Sequence, residues 1–139
     1  MKALWKPQLL SHVLTGCFAA AFLTCAILAA VDSLLLLLKL LVFSLIPFLL
    51  VTLIRNLISA KRPENAKKGS PSFPSRHAYS AFYVATLLFR FSGIASYILL
   101  LLAILLATLR VLLGKHYPRD VVAGAFLGVI AAIIALISL

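Results

Sequence analysis

Acidic side chains are almost missing from this sequence, which has 3 aspartates and glutamates against 13 lysines and arginines in 139 residues. So few carboxylates exclude a Mg²⁺ cage built from several acidic ligands, and we expect neither a metal nor another cofactor. Charged residues of both signs together make up only 12% of the chain, whereas 64% of the residues are hydrophobic. A soluble domain of this size would leave much of that apolar surface in water, which argues against a soluble fold.

Long apolar runs make up most of the chain. A helix needs roughly 20 apolar residues to cross a bilayer, and several runs approach that length. The first run is too long for the apolar core of a secretory signal, so we expect a retained span. We therefore expect one all-α domain over residues 1–139, a polytopic transmembrane bundle of about five spans. The predicted spans are Leu9–Val31, Leu34–Ile54, His77–Phe91, Ile94–Leu113 and Asp120–Leu139.

The net charge of +10 fits two kinds of anionic partner, nucleic acid and lipid. The basic residues lie mostly between apolar runs, so they form no charged face of a soluble fold. We therefore expect the partners to be the bilayer and a lipid phosphate, with no nucleic acid. Ionisable residues in or beside a membrane are functional candidates, and three groups of them lie on one predicted membrane face.

The first group is Arg55 and Arg62, with Pro63 directly after it. Their spacing is close to two helical turns, so both guanidiniums point the same way if the helix continues that far. Converging guanidiniums repel each other unless an anion lies between them, and phosphate oxygens match their planar fork. The alternative is an ordinary basic cap on a membrane helix.

The second group is Pro74-Ser75-Arg76-His77, which ends a proline-rich segment predicted to be a loop and leads into an apolar run. Ser75 suits a helix N-cap, and the first N–H groups of a helix bind anions. His77 is placed to donate a proton to a leaving oxygen. The alternative is a capping serine beside an interfacial histidine.

The third group is Arg110, His116 and Asp120, with Pro118 suited to the first turn of the last helix. A carboxylate four residues after His116 can accept the Nδ1 proton and leave Nε2 free to attack. A chance pair of this kind is the alternative reading. Each group is weak evidence alone, and their order along the chain is the stronger signal.

In that order, the sequence resembles the type 2 phosphatidic acid phosphatase (PAP2) family, which shares its active site with vanadium haloperoxidases. The family pattern is KxxxxxxRP, then PSGH, then SRxxxxxHxxxD. The matching stretches are RNLISAKRP, PSRH and LRVLLGKHYPRD, and the resemblance covers residues 55–124. In this sequence Arg55 replaces the usual lysine, Arg76 replaces glycine and Leu109 replaces serine.

The resemblance implies a metal-independent lipid phosphatase that works through a phosphohistidine. His116 is then the nucleophile, Asp120 orients it, and His77 protonates the leaving group. Arg76 contributes its backbone amide to phosphate binding. The phosphate-binding residues that it implies are Arg55, Arg62, Ser75, Arg76 and Arg110.

Several substrates and activities fit this expectation. Phosphatidic acid and phosphatidylglycerol phosphate are favoured narrowly over undecaprenyl or another isoprenyl diphosphate. The same site would also serve a phosphotransferase that passes the phosphate to another lipid or a sugar. A non-catalytic anion-binding or transport protein explains the arginines, but it does not explain the ordered His77 and His116–Asp120. A homodimer that completes the bundle is a further alternative.

Two indications of membrane orientation disagree. Cations are concentrated on the face that carries the motifs, and the positive-inside rule places that face in the cytoplasm. The resemblance instead implies the outer face for many bacterial members. A phosphate site itself requires cations, so it biases the count of basic residues on the face that carries the motifs. The sequence therefore does not decide which side of the cell membrane holds the site.

Overall fold

The computed structural model describes residues 7–63 and 71–139, which form α-helices, one 3₁₀ turn and no β-strand within those ranges. The helices are α1 (Pro7–Asp32), α2 (Leu34–Ile58), α3 (Arg76–Leu87), α4 (Gly93–Leu112) and α5 (Pro118–Ser138), with the 3₁₀ turn at Leu88–Arg90.

Helices α1, α2, α4 and α5 are long and apolar enough to cross a membrane, with 20 to 26 residues each. At 1.5 Å per residue they are about 30–39 Å long, and the hydrocarbon core of a bilayer is about 30 Å thick. The chain is thus an all-helical, multi-pass membrane protein, as predicted. The remaining predicted span, His77–Phe91, corresponds to the shorter α3 of 12 residues with the 3₁₀ turn after it.

Helix α3 lies inside the bundle and contacts all four long helices, most extensively α5. Most of its side chains are buried, including Tyr79 and Tyr83. The long helices instead expose apolar side chains on their outer faces, such as Leu34 at 70%, Leu101 at 69% and Ile137 at 82%. Such faces suit contact with lipid tails, whereas α3 forms part of the protein core.

Two glycines of α5 allow α3 to pack unusually close. A Cβ built on Gly124 would overlap the carbonyl oxygen of Ser75, and one on Gly128 would overlap that of Tyr79. Small residues at helix contacts in membranes permit this close approach. Gly124 therefore fixes the start of α3 against α5.

Helix α2 ends four residues later than the sequence predicted. Ser59 follows Ile58 in the left-handed conformation, with φ 49°, and its N–H donates to the carbonyl oxygen of Arg55. Arg55 therefore lies in the last turn of α2, whereas Arg62 lies beyond it. The condition for both guanidiniums to point the same way, a helix that continues as far as Arg62, is therefore not met, because the chain turns at Ser59.

Candidate active site

A glycine turn after α4 brings His116 back toward Arg110. Gly114 has φ 63°, which glycine adopts without steric cost. Its N–H donates to the carbonyl oxygen of Val111 at 2.9 Å, and that of Lys115 donates to the carbonyl oxygen of Arg110 at 3.1 Å. The turn leaves His116 only 2% exposed, just before α5 begins.

His116 faces the carboxylate of Asp120, as the sequence predicted. Its Nδ1 atom lies 3.7 Å from Oδ2, which is too long for a hydrogen bond. The same Oδ2 accepts the N–H of Tyr117 at 2.9 Å and the hydroxyl of Ser72. Neither ring nitrogen of His116 has a hydrogen-bond partner among residues 7–63 and 71–139. The imidazole is therefore buried with both nitrogens available.

Ser75 joins the second group to the third. It is the N-cap of α3, as predicted, and its Oγ accepts the N–H of Ala78 at 3.4 Å. Its own N–H donates to the carbonyl oxygen of Asp120 at 2.9 Å. The starts of α3 and α5 are thus linked directly. The first-turn N–H groups of α3, at Arg76 and His77, have no partner within the helix and suit an anion.

His77 lies against the guanidinium of Arg110. The Nη2 atom of Arg110 is 2.9 Å from Nδ1 and 3.2 Å from Nε2 of His77. A guanidinium has no acceptor, so an imidazole nitrogen facing it must present a lone pair. Nη1 of Arg110 also lies 3.4 Å from the hydroxyl of the buried Ser11 in α1. Three helices, α1, α3 and α4, meet at this guanidinium.

Arg62 reaches the same region from the loop after α2. Its guanidinium donates to the carbonyl oxygen of Lys115 at 3.4 Å and to that of Pro71 at 3.5 Å. The N–H of Ser72 donates to the carbonyl oxygen of Ala60 at 2.8 Å, which holds the two described ends of the loop together. These contacts place Arg62 beside the turn that carries His116.

The electrostatics show that the three groups converge. Burial, together with the charges of Arg62, Arg110 and Arg55, lowers the pKa of His116 from 6.5 to about 4, while Asp120 opposes the shift. Arginines from widely separated positions therefore act on one imidazole. Burial also lowers the pKa of Arg62, and so does the neighbouring Arg76. At neutral pH the imidazole of His116 is uncharged.

A cavity of about 780 Å³ runs from Arg76 and His77 into the bundle. Arg76 and His77 line one end, and Val84, about 12 Å further along α3 at 1.5 Å per residue, lines it deeper in the bundle. The walls between are mostly apolar side chains of α1, α2 and α3, including Phe18, Phe22, Leu45 and Phe48.

Sequence reasoning missed Ser72 and Ser11. Ser72 holds the Asp120 carboxylate and is fully buried, but its position between two prolines gives no signal of this contact. Ser11 lies near the start of the first predicted span, and nothing in the sequence marks it for a contact with Arg110. Both contacts join residues distant in sequence, so they depend on the packing of α1, α4 and α5.

The arrangement defines a class: a membrane helix bundle with a histidine and arginine site at one end. Residues 16–139 match the family model of the PAP2 superfamily, and the chain belongs to that superfamily. The resemblance expected from the three motifs is thereby confirmed.

Curated relatives match parts of the chain. It is 42% identical over 62 residues to the bacitracin transport permease protein BcrC of Bacillus licheniformis, covering 45% of this chain and 30% of that protein. It is 36% identical over 86 residues to decaprenylphosphoryl-5-phosphoribose phosphatase of Mycobacterium tuberculosis, covering 57% of this chain and 48% of that one. The matches thus span less than half the length of these relatives.

A solved structure matches nearly the whole chain. It is a transmembrane PAP2-type phosphatidylglycerolphosphate phosphatase from Bacillus subtilis, with a TM-score of 0.70 and 25% sequence identity. The alignment covers 96% of this chain and 77% of that one. The helix arrangement described above is therefore shared with a membrane phosphatase.

Proposed function

We propose that this chain is a metal-independent phosphatase that removes phosphate from a membrane lipid through a phosphohistidine on His116. The observation that carries the proposal is the convergence of His116, His77 and the arginines beside an apolar cavity. The substrate is a lipid phosphomonoester or a lipid diphosphate.

His116 has the properties of a nucleophile. It is neutral at pH 7, so a nitrogen lone pair is available without prior loss of a proton. The ring turns Nδ1 toward Asp120, which leaves Nε2 for phosphorus. In the reaction, Nε2 bonds to phosphorus as the bond to the lipid oxygen breaks, and Asp120 stabilises the positive imidazole.

His77 is the general acid in this scheme. It lines the cavity that we propose holds the lipid, so it can reach a leaving oxygen there. Without substrate, burial and then the charge of Arg110 lower the pKa of His77 to about 3, so its ring is neutral. The scheme therefore requires the bound phosphate to bring negative charge beside the ring and to draw the Arg110 guanidinium away from it, so that His77 holds a proton. His77 gives that proton to the leaving oxygen, then takes one from the water that attacks the phosphohistidine. The second step releases inorganic phosphate and restores both histidines.

Arg55, Arg62 and Arg110 stabilise the negative charge that spreads over the phosphoryl oxygens in the transition state. Because phosphoryl transfer needs little covalent help beyond the nucleophile, positioning and electrostatics dominate it. Burial strengthens these interactions, since Arg55 and Arg110 are only 4% and 6% exposed.

The cavity favours a lipid substrate over a soluble phosphate ester. Its apolar walls would hold the part of a lipid tail nearest the phosphate, while Arg76 and His77 meet the polar end. The relatives support this, because their names specify phosphatases of phosphatidylglycerolphosphate and of decaprenylphosphoryl-5-phosphoribose.

A panel of lipids tests the proposal. The purified chain in detergent with EDTA is given phosphatidic acid, phosphatidylglycerol phosphate or an isoprenyl diphosphate, and inorganic phosphate is measured. We expect release from at least one lipid, and none from His116→Ala. Arg90→Gln, in the 3₁₀ turn that follows α3, is the control and should keep the wild-type rate.

Three results would contradict this scheme. The first is a near-normal rate in His116→Ala. The second is EDTA inhibition that Mg²⁺ reverses, because the scheme uses no metal and no three histidine, cysteine or acidic side chains of residues 7–63 and 71–139 cluster as metal ligands. The third result is phosphate leaving the lipid without appearing as inorganic phosphate, which would indicate transfer to another acceptor.

A further inference from the structure

Arg76 adds a fourth guanidinium to the site, at a position where the family pattern has glycine. Arg76 is the first residue of α3, and its side chain is half-buried beside His77 at the end of the cavity. Among residues 7–63 and 71–139, no hydrogen bond or ion pair occupies this guanidinium. A charged group that lines a lipid cavity without a partner suits an anionic part of the substrate.

The charge of Arg76 belongs to the same cluster as the other arginines. It lowers the pKa of Arg62, second only to burial. Asp120 is the carboxylate of this cluster, and Ser72, Tyr117 and His116 already surround it. Arg119 also pairs with it, its Nε lying 3.6 Å from Oδ1. Among the described residues Asp120 is thus already held by several groups and forms no ion pair with Arg76.

The position of Arg76 also indicates which part of the substrate its guanidinium would meet. It is adjacent in sequence to His77, the proposed acid, and both line the cavity that would hold the lipid. Arg55, Arg62 and Arg110 act on His116, the proposed nucleophile, and Arg110 also contacts His77. Arg76 differs from these three because it lines the cavity itself, so it can meet a leaving group held there.

We propose that the Arg76 guanidinium binds a second phosphate, the one that stays on the lipid, so that the site prefers lipid diphosphates to lipid monophosphates. This inference rests on the proposed function. His116 Nε2 bonds to the terminal phosphorus, and the bond from that phosphorus to the bridging oxygen breaks. The bridging oxygen keeps the electron pair and takes the proton of His77. The lipid monophosphate leaves, and Arg76 stabilises its developing charge.

Two substrates with the same tail, farnesyl diphosphate and farnesyl monophosphate, isolate the effect of the second phosphate. The measured quantity is the ratio of kcat/KM for the two, from inorganic phosphate release. We expect the wild type to favour the diphosphate. Arg76→Gln should lower kcat/KM for the diphosphate by about ten- to a hundredfold, and change that for the monophosphate by less than about threefold.

Two further variants separate this role from a structural one. Arg76→Lys keeps the charge but loses the planar fork, so it should restore part of the diphosphate preference. Arg90→Gln, in the 3₁₀ turn after α3, should leave the ratio of the two kcat/KM values unchanged. An equal loss for both substrates in Arg76→Gln would overturn the inference, because Arg76 would then bind the phosphate that is removed. A wild type without diphosphate preference would also overturn it.

A binding measurement distinguishes failure of this inference from failure of the proposed function. His116→Ala protein is titrated calorimetrically with both farnesyl ligands, with and without Arg76→Gln. If the wild type releases no phosphate but Arg76→Gln still weakens diphosphate binding selectively, hydrolysis is refuted and the role of Arg76 stands. Equal affinities with and without Arg76 would refute that role whatever the turnover.

Discussion

The Nδ1 atom of His116 lies 3.7 Å from Oδ2 of Asp120, and both side chains are buried. The same carboxylate holds the N–H of Tyr117 and the hydroxyl of Ser72. Asp120 therefore stabilises the loop structure and faces the proposed nucleophile at once. Catalytic hydrogen bonds are often long without substrate and shorten in the complex, so this pair is poised for a role in the reaction.

Asp120→Asn separates these two roles when it is compared with Ser72→Ala. The amide keeps the shape of the side chain but cannot stabilise a positive imidazole, so we expect kcat to fall about 10²- to 10⁴-fold. Ser72→Ala removes one hydrogen bond to the carboxylate, which should lower stability by about 1 kcal/mol and leave kcat within a few-fold. Phosphate release and thermal unfolding in detergent measure the two effects. Equal losses of kcat in both variants would mean that Asp120 only supports the structure.

The pKa of His116 makes stability depend on pH in a defined direction. In the unfolded chain the imidazole titrates near 6.5, whereas in the folded protein its pKa is about 4. Between these values the unfolded state binds more protons, so stability falls as pH drops from 6.5 to 4, by at most about 3 kcal/mol.

His116→Gln provides the control, because glutamine does not titrate. Unfolding midpoints without ligand should fall less steeply between pH 6.5 and 4.5 in His116→Gln than in the wild type. Parallel slopes for the two proteins would show that His116 is not held neutral by its surroundings.

Gly124 sets the distance between α5 and the start of α3. Gly124→Ala would place a methyl group against the Ser75 carbonyl oxygen and 3.3 Å from Cβ of Ala78. Such overpacking typically costs about 1–3 kcal/mol, and the displacement of Ser75 and His77 should also lower kcat.

Gly16→Ala in α1 is the matched control. A Cβ at Gly16 meets no atom within 4 Å, so the substitution should stabilise α1 by about 0.5–1 kcal/mol and keep activity. Thermal unfolding and phosphate release measure both variants. If Gly124→Ala behaves like Gly16→Ala, the close approach of α3 and α5 is not needed to position the site.

Much of the fold could be predicted because apolar runs report directly on membrane helices. The order and spacing of the motifs were also sufficient to predict that His77 and His116 belong to one site. The end of α2 could not be predicted, since Ser59 adopts a left-handed turn that usually signals glycine. The contacts of Ser11 and Ser72 depend on helix packing and have no local pattern.

The central claim is that the imidazole of His116 accepts the phosphoryl group, and trapping the phosphorylated enzyme tests it most directly. The wild type is mixed with a lipid substrate from the panel, quenched in alkali within milliseconds to seconds, and analysed by peptide mass spectrometry. We predict a phosphoryl group on His116 during turnover and none in His116→Asn. Full turnover with no phosphorylated His116 at any time, or with the phosphoryl group on another residue, would contradict the account.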